Sequence, residues 1–399
     1  MAATNKKLSI RDRVVAVLND ERPDRIPFID RIEFWYKNRI YEGTMPEEYK
    51  GMSESEVHRA VGIGQEKWRL PYVYKYHGVE VISKIGDEPY YHEIAPELDF
   101  FPAIWDLIPD DRPGITRTEY VTPVGTLTVE HEMLEKMIAT GTRPYFKKRP
   151  VVEEADYRIL EYVIEHAEYI PRYDEFYAEE TDLGDHGFLV PNIERVPFQT
   201  LLLDIVGEIQ FFYDLYDRPG LVERLLRVLD AQVTEKLEKM ADFDVPLVEF
   251  VDNLDGSMTN PRLFEKYSLP AYQRYADILH KQNKKMGSHT DGNLKPLVDL
   301  IAECGLDISE SFTPTPITEL PFAEAWETWK DGPIIWGGIP SYYLQEDVDE
   351  EVFQDYLEDL LTTIGDRPII LGVGDAVMSD NMIDRVQYIA RRVEDHLLE

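Results

Sequence analysis

The segment Met286-Gly287-Ser288-His289-Thr290-Asp291-Gly292-Asn293 is the most informative stretch of this chain. A run of apolar and small residues stops at His289-x-Asp291, Gly292 breaks it, and a helical pattern begins at Leu294. That is the signature of a strand handing over to a helix. Imidazole and carboxylate two residues apart suit a zinc ion. His289 is the one histidine of nine that sits at a strand end beside a carboxylate, which fits it for metal ligation or acid/base work.

Other strand-like runs also end in polar groups: Asp30, Arg31 and Glu33; Asn192 and Glu194; Glu249, Asp252 and Asn253; Glu310; and Asp375. Carboxylates converging on one mouth repel one another unless they are protonated or neutralised, and a divalent cation neutralises them. Each has an alternative reading. Asp291 is either a co-ligand or the Asx-turn and cap of the next helix. Glu310 is either a ligand or part of a salt bridge at the mouth. Asp375 follows Gly-Val-Gly, which lets a metal approach the backbone or simply makes a capping turn. Glu249 lies among Val, Leu and Phe, where a carboxylate is seldom idle. Strand alternation separates it from Asp252 unless the strand ends between them. Glu249 and Asp252 join His289 and Glu310 as catalytic candidates; Asp30, Asn192 and Glu194 are candidates for binding substrate. Cys304 sits on an apolar helix face and reads as core. Trp35, Tyr36, Trp68, Tyr72 and Tyr74 pack the fold or line a pocket for a planar ligand.

The elements that must place these groups alternate in type. Strands are expected near residues 26, 188, 247, 286, 307, 334 and 369, separated by helical stretches such as 220–242, 270–282, 352–364 and 382–397. The alternation implies a parallel sheet with right-handed crossovers. Seven strands are visible and a closed (β/α)₈ barrel needs an eighth, expected in the irregular N-terminal part. An open doubly wound sheet is disfavoured, because no Gly-x-Gly-x-x-Gly follows the first strand and no P-loop occurs. The expectation is an α/β chain, one TIM-barrel domain over 1–399, with an irregular Tyr/Trp/Pro-rich insertion at about 41–173. Thr122 to Val129 reads as part of a hairpin within that insertion, and Gly78 to Ser83 as a weak strand.

The 399 residues are 43% hydrophobic, enough for a large core, and carry 42 basic against 77 acidic groups, a net charge of −35. That field repels nucleic-acid backbones and anionic membranes. No apolar run is long enough to span a bilayer, no secretory h-region is visible, and one cysteine excludes an internal disulfide. A cytoplasmic protein is expected; a homodimer is a possibility for a barrel of this size.

Several motifs, in order, resemble the uroporphyrinogen decarboxylase superfamily. They are Arg25-Ile26-Pro27-Phe28, Pro197-Phe198-Gln199-Thr200 with Ile205-Val206-Gly207-Glu208, Asp217-Arg218-Pro219, His289-Thr290-Asp291-Gly292-Asn293, Gly305-Leu306-Asp307-Ile308-Ser309-Glu310, Trp336-Gly337-Gly338-Ile339 and Gly372-Val373-Gly374-Asp375. Decarboxylases of the superfamily grip a polycarboxylate with an Arg-rich stretch after the first strand. Here Ile29 to Trp35 has one Arg against two acids, which argues against that activity. The methyltransferase branch is the better match. Its thiol-activating members hold zinc with His-x-Cys and a Gly-Cys-Gly cysteine, where this chain has His289-x-Asp291 and Gly372-Val373-Gly374 followed by Asp375.

The resemblance therefore implies a zinc site of His289, Glu310 and one or both of Asp291 and Asp375, shifted from sulfur to oxygen. It implies a zinc-dependent methyltransferase component of an O-demethylase. Such a protein moves a methyl group from a methoxylated aromatic to the corrinoid (cobalamin) of a partner protein. Glu249 and Asp252 would either support the metal ligands or orient the substrate. The alternatives are a corrinoid methyltransferase acting on a thiol or other donor, a decarboxylase-like enzyme, and an inactive barrel serving as a binding protein.

Overall fold

The computed structural model describes residues 7–89 and 112–396. They form two compact units, one drawn from residues up to 69, 176–192 and from 244 onward, the other from 70–175 and 193–243.

The first unit carries an eight-stranded parallel barrel. Its strands are β1 (Ile29–Asp30), β2 (Gly64–Arg69), β3 (Gly187–Ile193), β4 (Leu247–Phe250), β5 (Lys285–His289), β6 (Ile308–Phe312), β7 (Ile334–Ile339) and β8 (Ile370–Val373), paired in that order. A parallel bridge between Phe28 and Leu371 brings β8 back to β1 and closes the ring. The TIM-barrel expectation is therefore met. The missing strand is β2, Gly64-Gln65-Glu66-Lys67-Trp68-Arg69, which lies inside the stretch read as an insertion. It has no apolar run to announce it, because its buried positions include Gln65 and Glu66, spent on polar partners.

One end of the barrel is filled. Ile29, Phe188, Val190, Leu247, Ile308, Trp336 and Ile370 form a core cluster with Val14, Val17 and Leu18 of the helix Ile10–Leu18. Each fully buried aliphatic there contributes roughly 1.5–3 kcal/mol over exposure. The helix starts at a capping box in which Ser9 and Asp12 exchange side-chain and backbone hydrogen bonds. It lies at the start of β2, since a Cβ on Gly64 would sit 2.5 Å from Ile10 Cγ2. The opposite, C-terminal strand ends carry the candidate site.

The second unit holds a five-stranded antiparallel sheet with strands Glu88–Pro89, Glu80–Ile85, Gly114–Thr122, Gly125–Met133 and Tyr145–Lys148. The expected hairpin is there, turning at Pro123 and Val124. The segment 201–216 is not one continuous helix. Gly207, at φ 87°, separates a wide turn at Thr200–Ile205 from the helix Glu208–Asp217. Among the described residues, no helix is long and apolar enough to cross a membrane.

Candidate metal centre

His289 is the last residue of β5 and stands in register with Glu310 on β6. Both are almost wholly buried. His289 Nδ1 lies 2.5 Å from Glu310 Oε2. The carboxylate has no proton to offer when ionised, so Nδ1 donates and Glu310 accepts. That bond keeps a proton on Nδ1, so Nε2, which holds the second proton while no cation is bound, is the nitrogen that would give its lone pair to a metal.

Nε2 faces two more carboxylates, Asp291 Oδ2 at 3.6 Å and Asp375 Oδ1 at 3.9 Å. The three donor atoms all lie within 4.8 Å of one another. Ligands about 2.1 Å from a tetrahedral zinc ion stand about 3.4 Å apart, so His289, Asp291 and Asp375 need only small shifts to share one. Glu310, grouped with the ligands in the sequence reading, bonds the other ring nitrogen.

The surroundings reinforce this. Asn253, at φ 46°, donates from Nδ2 to Asp291 Oδ2 at 2.8 Å. Asp375, at φ 68°, has its N–H bonded to Ser311 Oγ at 2.6 Å. Arg31 Nη2 donates to the Asp375 carbonyl and lies 3.3 Å from Asp375 Oδ1. The Trp68 and His289 rings meet edge to face, with centroids 5.0 Å apart.

Charge is crowded here. Burial pushes the Asp30 carboxyl up to about 8, against hydrogen bonds from the Val373 and Arg31 amides. Burial, with the nearby charge of Glu310, also drives Glu66 and Glu249 well above the usual carboxylate range. For Asp291 burial acts upward, but His289 and the Asn253 bond prevail and hold it down to about 2. For His289 burial acts downward, but Glu310 and Asp291 raise it well above the ordinary imidazole value. The cluster thus binds positive charge strongly, as protons or as a cation. An oxygen-rich set with one imidazole fits a divalent metal.

The other candidates are distributed as follows. Glu249 is fully buried on β4 opposite Gly287, where a Cβ would lie 3.2 Å from Glu249 Cγ, so the glycine makes room for it. Asn192 Nδ2 donates to Glu249 Oε1 at 3.0 Å, leaving Asn192 Oδ1 and Glu249 Oε2 buried without a protein partner. Asp30 accepts from two backbone amides, those of Arg31 and Val373. Asp252 lies beyond the end of β4 and accepts from Tyr272 at 2.5 Å and Ser288 at 2.6 Å. Ser288 alternates with His289 on β5, so Asp252 is held at the outer face of that strand, away from the His289 cluster. Glu194 belongs to the second unit, where Tyr72, Tyr74 and Lys236 donate to it. Sequence reasoning missed Glu66, whose carboxylate takes the Trp68 indole N–H at 2.5 Å. The signal was the alternation of Glu66 and Trp68, hidden because β2 itself was not recognised.

The profile of the family described as uroporphyrinogen decarboxylase (URO-D) matches residues 197–396, half of the chain. The chain belongs to the uroporphyrinogen decarboxylase family. No curated protein sequence matches it. Among solved structures it shares its fold with a methyltransferase from Methanosarcina mazei, with a TM-score of 0.55 at 13% identity over 97% of this chain and 99% of that one. A B12-independent methionine synthase from Shewanella sp. W3-18-1 aligns with 58% of this chain and 72% of its own, with a TM-score of 0.39 and 11% identity. Strands β5, β6 and β8 and the loops carrying Asp291 and Asp375 all fall within the matched residues.

Proposed function

We propose that this member of the uroporphyrinogen decarboxylase family is a zinc-dependent methyltransferase, taking a methyl group from a methoxylated aromatic and passing it to the corrinoid of a partner protein. The observation that carries the reading is the proton kept on His289 Nδ1, with Nε2 facing Asp291 and Asp375. Those three residues would hold the ion. Zinc bound by oxygen donors is a harder Lewis acid than zinc bound by thiolates, suited to polarising an ether oxygen and stabilising a departing phenolate.

The chain's own residues do the rest. Glu310 keeps the proton on Nδ1 of His289 and holds the ring in one orientation. Asn253 and Arg31 aim the two aspartates. Trp68 supplies a flat apolar surface beside His289, of the kind that packs against an aromatic ring. Asn192 Oδ1 is left without a donor, and Glu249, kept protonated by burial, is left with its Oε2 unpartnered, so the pair suits a polar group of the substrate. The shared fold with a methyltransferase supports the same reading. A decarboxylase acting on a polycarboxylate fits poorly. Arg31 is committed to Asp375, and the remaining cluster is acidic and repels polyanions.

The test supplies zinc-loaded protein with a methoxyphenol and cob(I)alamin and follows the methylcobalamin spectrum and released phenol together. Stoichiometric appearance of both, absent in His289→Ala, is expected. Transfer from a methylated thiol with none from any methoxyarene would move the assignment to thiol chemistry.

A further inference from the structure

We infer that Arg31 is a positioning residue of the metal centre, setting the Asp375 carboxylate against His289. The inference rests on the metal-binding reading above.

Arg31 follows β1 directly, and its side chain is only 8% exposed. Its Nη2 makes two contacts to one residue, the backbone carbonyl and the carboxylate of Asp375. Its own carbonyl accepts from Val377 N at 3.0 Å. The loop after β8 is therefore held by Arg31 at Asp375 and again two residues on. From the other side Ser311 Oγ accepts the Asp375 N–H. The preceding Gly374 leaves no slack, since a Cβ there would lie 2.0 Å from Thr313 Oγ1. These restraints explain how a non-glycine residue persists at φ 68°, a conformation that survives only where its surroundings over-determine it.

The guanidinium does a second job. Its Cζ lies over the Trp68 ring, 3.9 Å from the centroid, and the Trp68 and His289 rings meet edge to face. Trp68 is fixed from behind by Glu66 through its indole N–H. One side chain thus braces both Asp375 and the ring that packs on His289, linking β1, β2, β5 and β8. Nη2 is spent on Asp375, while Nε makes no hydrogen bond and lies 3.8 Å from Glu66 Oε1. Lysine cannot replace it, because a single ammonium lacks the planar fork that stacks and donates at once.

The experiment measures zinc affinity, with zinc alone and no substrate, by competition with a chromophoric chelator in wild type, Arg31→Lys and Arg31→Gln. Each is also loaded with Co²⁺ and its visible spectrum recorded. Residues that orient ligands typically cost about 10–100-fold in affinity when lost. That weakening is expected in both variants, with an altered Co²⁺ spectrum and circular dichroism unchanged. In an Asp375→Asn background, Arg31→Gln should add little, since the two act through one carboxylate. Wild-type affinity and an unchanged spectrum in either folded variant would overturn the role, and so would an equal effect with and without Asp375. Arg31→Lys keeps the charge and carries the test if Arg31→Gln fails to fold. Wild-type protein that takes up no zinc would instead remove the underlying metal reading, and that result appears before any variant is made.

Discussion

Replacing Glu310 with Gln tests whether this carboxylate is a ligand or the partner of one. Glu310 Oε2 accepts from His289 Nδ1 at 2.5 Å, and both side chains are 3% exposed. Gln keeps an acceptor oxygen of nearly the same shape but removes the charge. A hydrogen bond to a charged group contributes about 1.5–3 kcal/mol, against about 1 kcal/mol for a neutral pair. The difference, about 0.5–2 kcal/mol, falls on the metal-bound state, where the imidazole must give its Nε2 lone pair to the ion. Zinc affinity should therefore weaken roughly 2–30-fold, at 1.4 kcal/mol per tenfold, with one ion still bound per chain. Chelator competition on folded protein reads both quantities. Affinity equal to wild type would show that Glu310 does not tune the imidazole. Complete loss of the ion would show that Glu310 coordinates it directly, and the division of the two ring nitrogens drawn here would be wrong.

Two further outcomes concern stability. Lys236 is fully buried and donates to Glu194 and Tyr72. Lys236→Met strands the carboxylate and should cost about 3–5 kcal/mol, while adding Glu194→Gln should recover most of it, read by urea unfolding. His131 lies buried against Phe146, and burial, with Arg149 nearby, pushes it down to about 4 from 6.5. The folded state then binds this proton less readily than the unfolded chain. Its contribution is present above pH 6.5 and is lost as pH falls towards 4, by about 3 kcal/mol. A flatter fall in melting temperature between pH 7 and 4 is expected for His131→Gln, and a curve parallel to wild type would refute the assignment.

Much of the barrel was legible because its later strands are apolar runs bounded by helices of regular period. Each strand expected near residues 26, 188, 247, 286, 307, 334 and 369 has an observed strand within three residues of that position. What stayed hidden was β2, for a physical reason: a barrel strand whose inward side chains build the site is polar, and hydrophobicity cannot reveal it. His289, Asp291, Glu310 and Asp375 could be named from the sequence because each ends a recognisable strand. Their division of labour could not, since it depends on which ring nitrogen each carboxylate meets. Asp252 shows the converse. It shares the sequence signature of a strand-end acid, yet Tyr272 and Ser288 hold it on the outer face of the strand. Glu194 likewise follows a strand, but it answers to a buried lysine in the other unit.

The central claim is that His289, Asp291 and Asp375 form one metal centre. Metal content of the purified chain, by mass spectrometry after supplying zinc and dialysing, tests it most directly. The account predicts about one zinc per chain in wild type, and none retained in His289→Ala or in the double variant Asp291→Asn/Asp375→Asn. Full retention in both, or no zinc in wild type, would contradict it.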